Sequence, residues 1–362
     1  MKLFECESCG QPLYFENTVC ESCGHRLGYV PEVNKVTALE PEGEAWRALG
    51  APGTLYKFCR NAEVDACNWL IPADSEEPLC AACRHNRTIP DISDAENMAR
   101  WRKLEMAKHH LFYTMLKLKL PLKNRTDDPE GGLAFDFLSD QVDADGNVTT
   151  VLTGHDNGLI TINVAEADDA EREKRRTQMQ EPYRTLLGHF RHEVGHYFWD
   201  KLVRDAGEES LAKFREMFGD ERADYGQALQ THYNNGPPAD WQDNFVSTYA
   251  TAHPWEDFAE TWAHYLHIVD TLETARSFGI STDPRRHQDM AAEVDFDPYR
   301  AEDAQALVDA WIPLSVALNS LQRSMGQADS YPFILSPPVV QKLNFINALI
   351  QRAGNRQYVF GT

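Results

Sequence analysis

The sequence predicts an α+β protein with a small, rubredoxin-like cysteine-knuckle module ahead of its main body, and three observations carry that prediction. All eight cysteines fall in the first 83 of 362 residues, at spacings that suit a metal ion better than disulfides. Between residues 132 and 165 the apolar positions alternate with small or polar ones, the period of a strand. From Tyr183 to Leu202 the period becomes helical, with Leu186, Leu187, Phe190, Val194, Tyr197, Phe198 and Leu202 on the apolar side.

The cysteines divide into two sets. Cys6-x-x-Cys9-Gly10 and Cys20-x-x-Cys23-Gly24 are two knuckles ten residues apart, a pattern that turns four thiolates toward one zinc ion. The glycine after each pair permits the backbone turn in which amides face the sulfurs. Cys59, Cys67, Cys80 and Cys83 form a looser second set, read as another structural zinc site, with His85 as a possible substitute for one cysteine. Four protein ligands leave no open position, so both sites supply folding energy rather than chemistry. Residues 1–30 are expected to be the zinc ribbon. Residues 31–90 are expected to hold the second cysteine segment behind a partly ordered connector, Tyr29 to Gly53, rich in proline and glutamate.

Beyond Pro90 a helix capped by Ser93 or Asp94 is expected to run through Trp101, Leu104, Phe112 and Leu116 and to end before Pro121. His109 and His110 on it read as surface or core histidines, since no cysteine or carboxylate follows at ligand spacing. Leu133, Phe135 and Phe137, the turn Asp145-Gly146 and the strand Gly158 to Val164 predict a small antiparallel sheet. The charged run Glu166 to Arg176 is a solvated helix face or loop. Further on, Ala301 to Leu318 and Val339 to Ala353 read as helices that buttress the domain before them.

The helical stretch of residues 183–202 carries the chemistry. Pro182 fits its first turn and Glu181 lies near its start. Within it stands Arg191-His192-Glu193-Val194-Gly195-His196-Tyr197. Histidines four apart share one helix face and can point at a single zinc ion, and Glu193 beside them is a candidate general base. A hydrolytic zinc site needs a third protein ligand and one open position. The stretch His253-Pro254-Trp255-Glu256-Asp257-Phe258-Ala259-Glu260 offers Glu256 and Glu260 on one face: one carboxylate for the metal, the other to orient a ligating histidine through its free ring N–H. His189, His264, His267, His232 and Asp220 are further candidates for lining such a site.

These two stretches together resemble the gluzincin metallopeptidases. The resemblance implies that His192, His196 and Glu256 are zinc ligands, that Glu193 is the general base and that Glu260 supports a ligand. It also implies an oxyanion-stabilising role for Tyr249, seven residues before Glu256. Lys2-Leu3-Phe4, Leu13-Tyr14-Phe15-Glu16-Asn17, Gly154-His155-Asp156-Asn157-Gly158 and Glu166-Ala167-Asp168 extend the likeness, from near residue 1 to about residue 270, to zinc-binding metallopeptidases with an N-terminal zinc ribbon. The implied architecture is a zincin-like domain over residues 91–275 with a C-terminal helical extension over 276–362. It would hold one catalytic and two structural zinc ions and take a peptide along the strand Leu159 to Val164.

Composition limits the partners. With 56 acidic against 35 basic residues the net charge is −21, which opposes a phosphate-binding surface, so no nucleic acid is expected. No apolar run approaches the roughly 18 residues of a membrane span, and the start Met1-Lys2-Leu3-Phe4-Glu5-Cys6 lacks a signal-peptide core, so a cytoplasmic protein without membrane contact is expected. The expected partners are a peptide or protein substrate and a protein bound through the ribbon. The rival expectation is a non-catalytic, ribbon-based binding protein whose His-Glu-x-x-His site merely holds metal.

Overall fold

The computed structural model describes residues 2–143, 145–178 and 183–357. It divides into two compact units, Met1–Lys117 with Leu122–Lys174, and Leu118–Pro121 with Arg175–Thr362. The fold is α+β, with its sheets in the first unit and helices throughout the second.

The first unit opens on the knuckles. Strands β1 (Phe4–Glu5) and β2 (Pro12–Leu13) pair across the first one. Gly10 and Gly24 take φ of 75° and 77°, and their amides bond back to the Cys6 and Cys20 carbonyls at 2.8 Å, which is the turn those glycines were expected to allow. Next comes an antiparallel sheet of β3 (Arg26–Val30), β4 (Lys35–Glu42), β5 (Ala45–Ala48), β6 (Leu55–Phe58) and β7 (Leu70–Pro72) in chain order. Its core holds Val30, Leu39, Ala48, Ala51, Tyr56 and Leu70. The connector expected at 29–53 is therefore three strands of an ordered sheet. Pro31 lies in the turn after β3, and Pro41 sits near the end of β4, where a missing N–H is tolerated.

Strand β8 (Asn86–Thr88) leads into helix α1 (Ala95–Lys117), capped as expected by Asp94, whose side chain accepts the Asn97 amide at 2.9 Å. Strands β9 (Ala134–Leu138), β12 (Gly154–Asp156) and β13 (Leu159–Asn163) join β8 in a sheet ordered β12-β13-β9-β8; β10 (Gln141–Val142) and β11 (Val148–Thr149) form a separate hairpin around Gly146. The expected antiparallel pairing holds for β12 and β13, joined through Asn157 and Gly158 at φ 43° and 85°, and for β10 with β11, but not for the rest of the four-stranded sheet. The β8–β9 and β9–β13 pairs are parallel, because α1 carries the chain back between the first two strands and β12, running antiparallel to β13, carries it back between the second two. Both edges of β13 are thus occupied, which overturns its expected role as a peptide-accepting strand. Helix α2 (Asp169–Gln178) follows.

The second unit is built on α3 (Leu186–Trp199) and the 25-residue α6 (Pro254–Phe278). Thr185 caps α3, accepting the Gly188 amide at 3.0 Å; Glu181 and Pro182 lie outside the described residues. A π-turn over Asp200–Arg204 extends the helix, and α4 (Glu208–Phe218) and α5 (Tyr225–Asn235) lead to α6. Phe198 stacks on Trp262 with ring centres 4.9 Å apart. Helices α7 (Ala304–Ser324) and α8 (Pro337–Gln357) occupy the segments read as helical. The buttress is specific: Lys342 pairs with Asp257 at 2.6 Å, and the Tyr265 hydroxyl donates to Asn347 at 2.7 Å, both joining α8 to α6.

Two histidines bury themselves neutral behind this helix pair. Burial lowers His264 to about 4 and His267 to about 3, with Arg191 adding to both. An unfolded histidine titrates near 6.5, so below that pH the unfolded chain binds more protons than the native one and stability falls with falling pH. The unfolding free energy read from urea titrations is expected to drop steadily from pH 6.5 toward pH 4, by up to about 1.4 kcal/mol per pH unit for each histidine, with the midpoint falling alongside. A midpoint flat across that range would contradict the buried neutral pair.

Candidate active site and metal centres

Three side chains from two crossing helices converge in the second unit. Helix α3 presents His192 and His196 one turn apart, and α6 carries Glu256 in its first turn. One ligand atom from each lies within 4.8 Å of the others. Glu256 Oε2 stands 3.0 Å from His192 Nε2 and 3.5 Å from His196 Nε2. Ligands held about 2.0–2.1 Å from a tetrahedral ion are separated by about 3.3 Å, so the spacing fits a zinc-sized centre. Among the described residues the buried Oε2 atom makes no hydrogen bond and faces the two imidazole nitrogens, as an oxygen reserved for a cation does.

The sequence builds this convergence in two ways. A Cβ on Gly195 would lie 3.0 Å from the Ala259 Cα, so the glycine between the two histidines lets α3 approach α6 closely. At the start of α6, His253 accepts the Trp255 amide at 3.1 Å and Pro254 takes the first helical position, which fixes where Glu256 emerges.

A hydrogen-bonded chain then aims His192. Its Nδ1 donates to Glu260 Oε1 at 2.7 Å, Glu260 Oε2 accepts from Ser247 Oγ at 2.6 Å, and the Ala250 amide bonds Ser247 at 3.1 Å. The other Glu256 oxygen accepts from the Tyr225 hydroxyl at 2.6 Å. Ser247 and Tyr225 were not among the expected site residues. Neither belongs to a motif, and α5 and the loop before α6 bring them in from outside both motif stretches. Tyr249 lies with its ring 5.9 Å from that of His192 and interacts with the Tyr225 hydroxyl.

Charge follows from this packing. Burial alone lowers His192, but Glu256 and Glu260 against its two nitrogens hold it well above its usual range. Burial raises Glu256, yet His196 and His192 pull it well below the carboxylate range. Burial also raises Glu193, and there the imidazoles only partly offset it. The same helix thus offers one carboxylate partner a cation and keeps another ready to accept a proton.

Sequence comparison gives the family. A profile of the family described as "Putative zinc-binding metallo-peptidase" matches residues 97–349, which is most of the chain. The chain belongs to that metallopeptidase family. A second profile, described as a zinc-ribbon domain, matches residues 3–94. Similar proteins, themselves described as uncharacterized, occur in Mycobacterium bovis and in two strains of Mycobacterium tuberculosis; each is 43% identical over 350 residues, covering 97% of this chain and 95% of the relative. No solved structure matches. Among the described residues no helix is long and apolar enough to cross a membrane.

In this member of the family the ribbon cysteines also converge. Cys6, Cys9, Cys20 and Cys23 form one group, with Cys6–Cys23 and Cys9–Cys20 sulfurs 3.7 and 3.6 Å apart. Thiolates about 2.3 Å from a tetrahedral zinc are about 3.8 Å apart, so these residues fit one. Cys59, Cys67, Cys80 and Cys83 form the second group, all buried. His85 is not part of it: its Nδ1 lies 2.9 Å from the Ala81 carbonyl. His109, read from sequence as a bystander, lies instead against this group, 3.4 Å from Cys67 Sγ. Its sulfur partners are 26 and 42 residues away, so local spacing held no sign of them. His110 pairs elsewhere, with Glu16 at 2.5 Å.

The remaining candidates do not belong to the His192–Glu256 group, although the His232 ring lies 6.1 Å from that of Tyr249. His264 Nδ1 meets the Tyr331 hydroxyl at 2.7 Å, and His267 lies 3.3 Å from Arg191. His232 Nδ1 faces Thr251 Oγ1 at 3.2 Å, Asp220 pairs with Arg222 at 2.7 Å, and His189 is absent from the group.

Proposed function

We propose that the chain is a zinc-dependent, gluzincin-type metallopeptidase that hydrolyses peptide bonds, with one catalytic and two structural zinc ions. The observation that carries this reading is the convergence of His192 Nε2, His196 Nε2 and Glu256 Oε2, with Glu193 on the same helix.

His192, His196 and Glu256 would hold a zinc ion, which would supply Lewis acidity to a scissile carbonyl and to a water near neutral pH. Glu193 takes the proton from the attacking water and returns it to the leaving amine, the role its raised affinity for a proton suits. Tyr249, which burial and then Glu256 keep protonated, donates to the oxygen on which charge develops. Tyr225 holds Glu256 Oε1, leaving Oε2 for the metal. Glu260, steadied by Ser247, keeps the His192 ring turned so that Nε2 faces the same point. Replacing Ser247 by Ala is expected to lower zinc affinity at this site about tenfold, read by competition with a chelator; unchanged affinity would remove Ser247 from the relay.

The reading is tested by stripping the protein with a chelator and restoring it. Peptide hydrolysis should vanish and return with zinc and not with magnesium. Zinc uptake at His192, His196 and Glu256 without hydrolysis of any peptide would instead favour the binding-protein alternative.

A further inference from the structure

The second cysteine group is not closed within the ribbon. Backbone amides reach three of its sulfurs: Trp69 N to Cys67 at 3.3 Å, Cys80 N to Cys59 at 3.4 Å, and Cys83 N to Cys80 at 3.4 Å. Among the described residues no amide reaches the sulfur of Cys83. It faces two side chains of α1, with His109 Nε2 at 3.5 Å and Glu105 Oε2 at 3.4 Å. The same imidazole nitrogen stands 3.4 Å from Cys67. Both α1 residues are buried, and both lie beyond the segment that the ribbon profile matches, residues 3–94.

This arrangement answers an electrostatic need. A divalent ion on four thiolates leaves two negative charges in a place that water does not reach, and such charge requires hydrogen-bond donors around it. Glu105 adds negative potential beside Cys83, but its other oxygen is taken by the fully buried Lys108 at 2.7 Å and by Asn86 at 2.9 Å. The His109 ring is the donor that remains for Cys83. Its ring packs against Trp69 with centres 5.2 Å apart, so the imidazole is held in place from behind. Four sulfurs already complete a tetrahedron, which makes the imidazole a donor from outside it rather than a ligand.

We propose that His109 is a positioning residue of the second metal centre: its Nε2–H donates to the Cys67 and Cys83 thiolates, retains the metal, and fastens α1 to the ribbon's cysteines. The proposal rests on the reading of Cys59, Cys67, Cys80 and Cys83 as a zinc site. It makes the first helix of the metallopeptidase segment part of a centre whose ligands all come from the ribbon.

The test uses the full-length, zinc-loaded protein and three variants. His109→Phe keeps a ring against Trp69 and removes the donor, His109→Gln keeps an N–H, and Cys80→Ser breaks the centre itself. Zinc release is followed with 4-(2-pyridylazo)resorcinol, and the centre's ligands are read from the visible spectrum after cobalt substitution. One zinc equivalent should leave about 10–100-fold faster from His109→Phe, with His109→Gln restoring much of the retention. The cobalt bands should remain those of four sulfurs, with the thiolate-to-metal charge-transfer band at lower energy in His109→Phe. Equal release from all His109 proteins, or a charge-transfer band that does not move, overturns the role of His109. Ligand-field bands of three sulfurs and one nitrogen in the wild type overturn it in favour of direct ligation. Should His109→Phe fail to fold, His109→Leu, which also lacks a donor, takes its place: zinc release about 10–100-fold faster than from the parent supports the role, and release as slow as from the parent overturns it. A zinc content that Cys80→Ser leaves unchanged would instead remove the metal centre on which the proposal stands.

Discussion

Exchanging Glu193 for Gln is expected to lower kcat for peptide hydrolysis by about 10²–10⁴-fold while leaving the zinc content unchanged. The two side chains have the same shape, and Glu193 is buried on α3 beside the two histidines without belonging to the metal-ligating group. The amide keeps the packing and cannot accept the proton of the attacking water. Because burial raises Glu193 above the ordinary carboxylate range, the acid limb of the wild-type kcat/KM profile should also lie above that range. Turnover unaffected by the exchange would assign the proton to another group. Zinc lost along with activity would show that Glu193 helps hold the metal.

Replacing Lys342 by Met is expected to cost about 3–5 kcal/mol of stability at pH 8 and to weaken zinc binding at the same time. Lys342 and Asp257 are both buried, 2.6 Å apart, and the lysine also donates to the Asn244 carbonyl at 2.7 Å. Among the described residues the second oxygen of Asp257 has no hydrogen-bond partner, so without the ammonium the carboxylate is stranded. Burial already raises Asp257 to about 7 against the pull of that lysine. Asp257 directly follows Glu256, so a helix start that shifts to relieve a buried charge moves a ligand. The double variant with Asp257→Asn should recover most of the loss in a denaturation midpoint. A single Lys342→Met variant as stable as the parent would mean that the pair is not needed, whatever its burial.

Much of the candidate site was legible because helical periodicity is local. His192 and His196 share a face by spacing alone, and the first turn of the later helix carries Glu256 where Pro254 and His253 start it. The residues that aim and hold these groups were not legible. Ser247, Tyr225 and Lys342 are fixed by tertiary contacts from other elements, and their surroundings in sequence are unremarkable for a loop or an exposed helix. His109 was misread for the same reason, since its sulfurs are far away in sequence. The segment 29–53 was misread for a different one: proline and glutamate at strand ends and turns outweighed the apolar run Val36 to Leu39, whose residues are buried in the sheet. The parallel pairing of β9 and β13 depends on which elements intervene, which alternation along a single strand does not report.

The central claim is that the His192, His196 and Glu256 centre, with Glu193, hydrolyses peptide bonds. Mass spectrometry of a mixed peptide library, incubated with zinc-loaded protein beside its Glu193→Gln variant, tests it most directly. Cleavage products that appear with the parent and disappear with the variant are the predicted result, and their flanking residues would give the specificity. A library left intact by both, or cut equally by both, would contradict it.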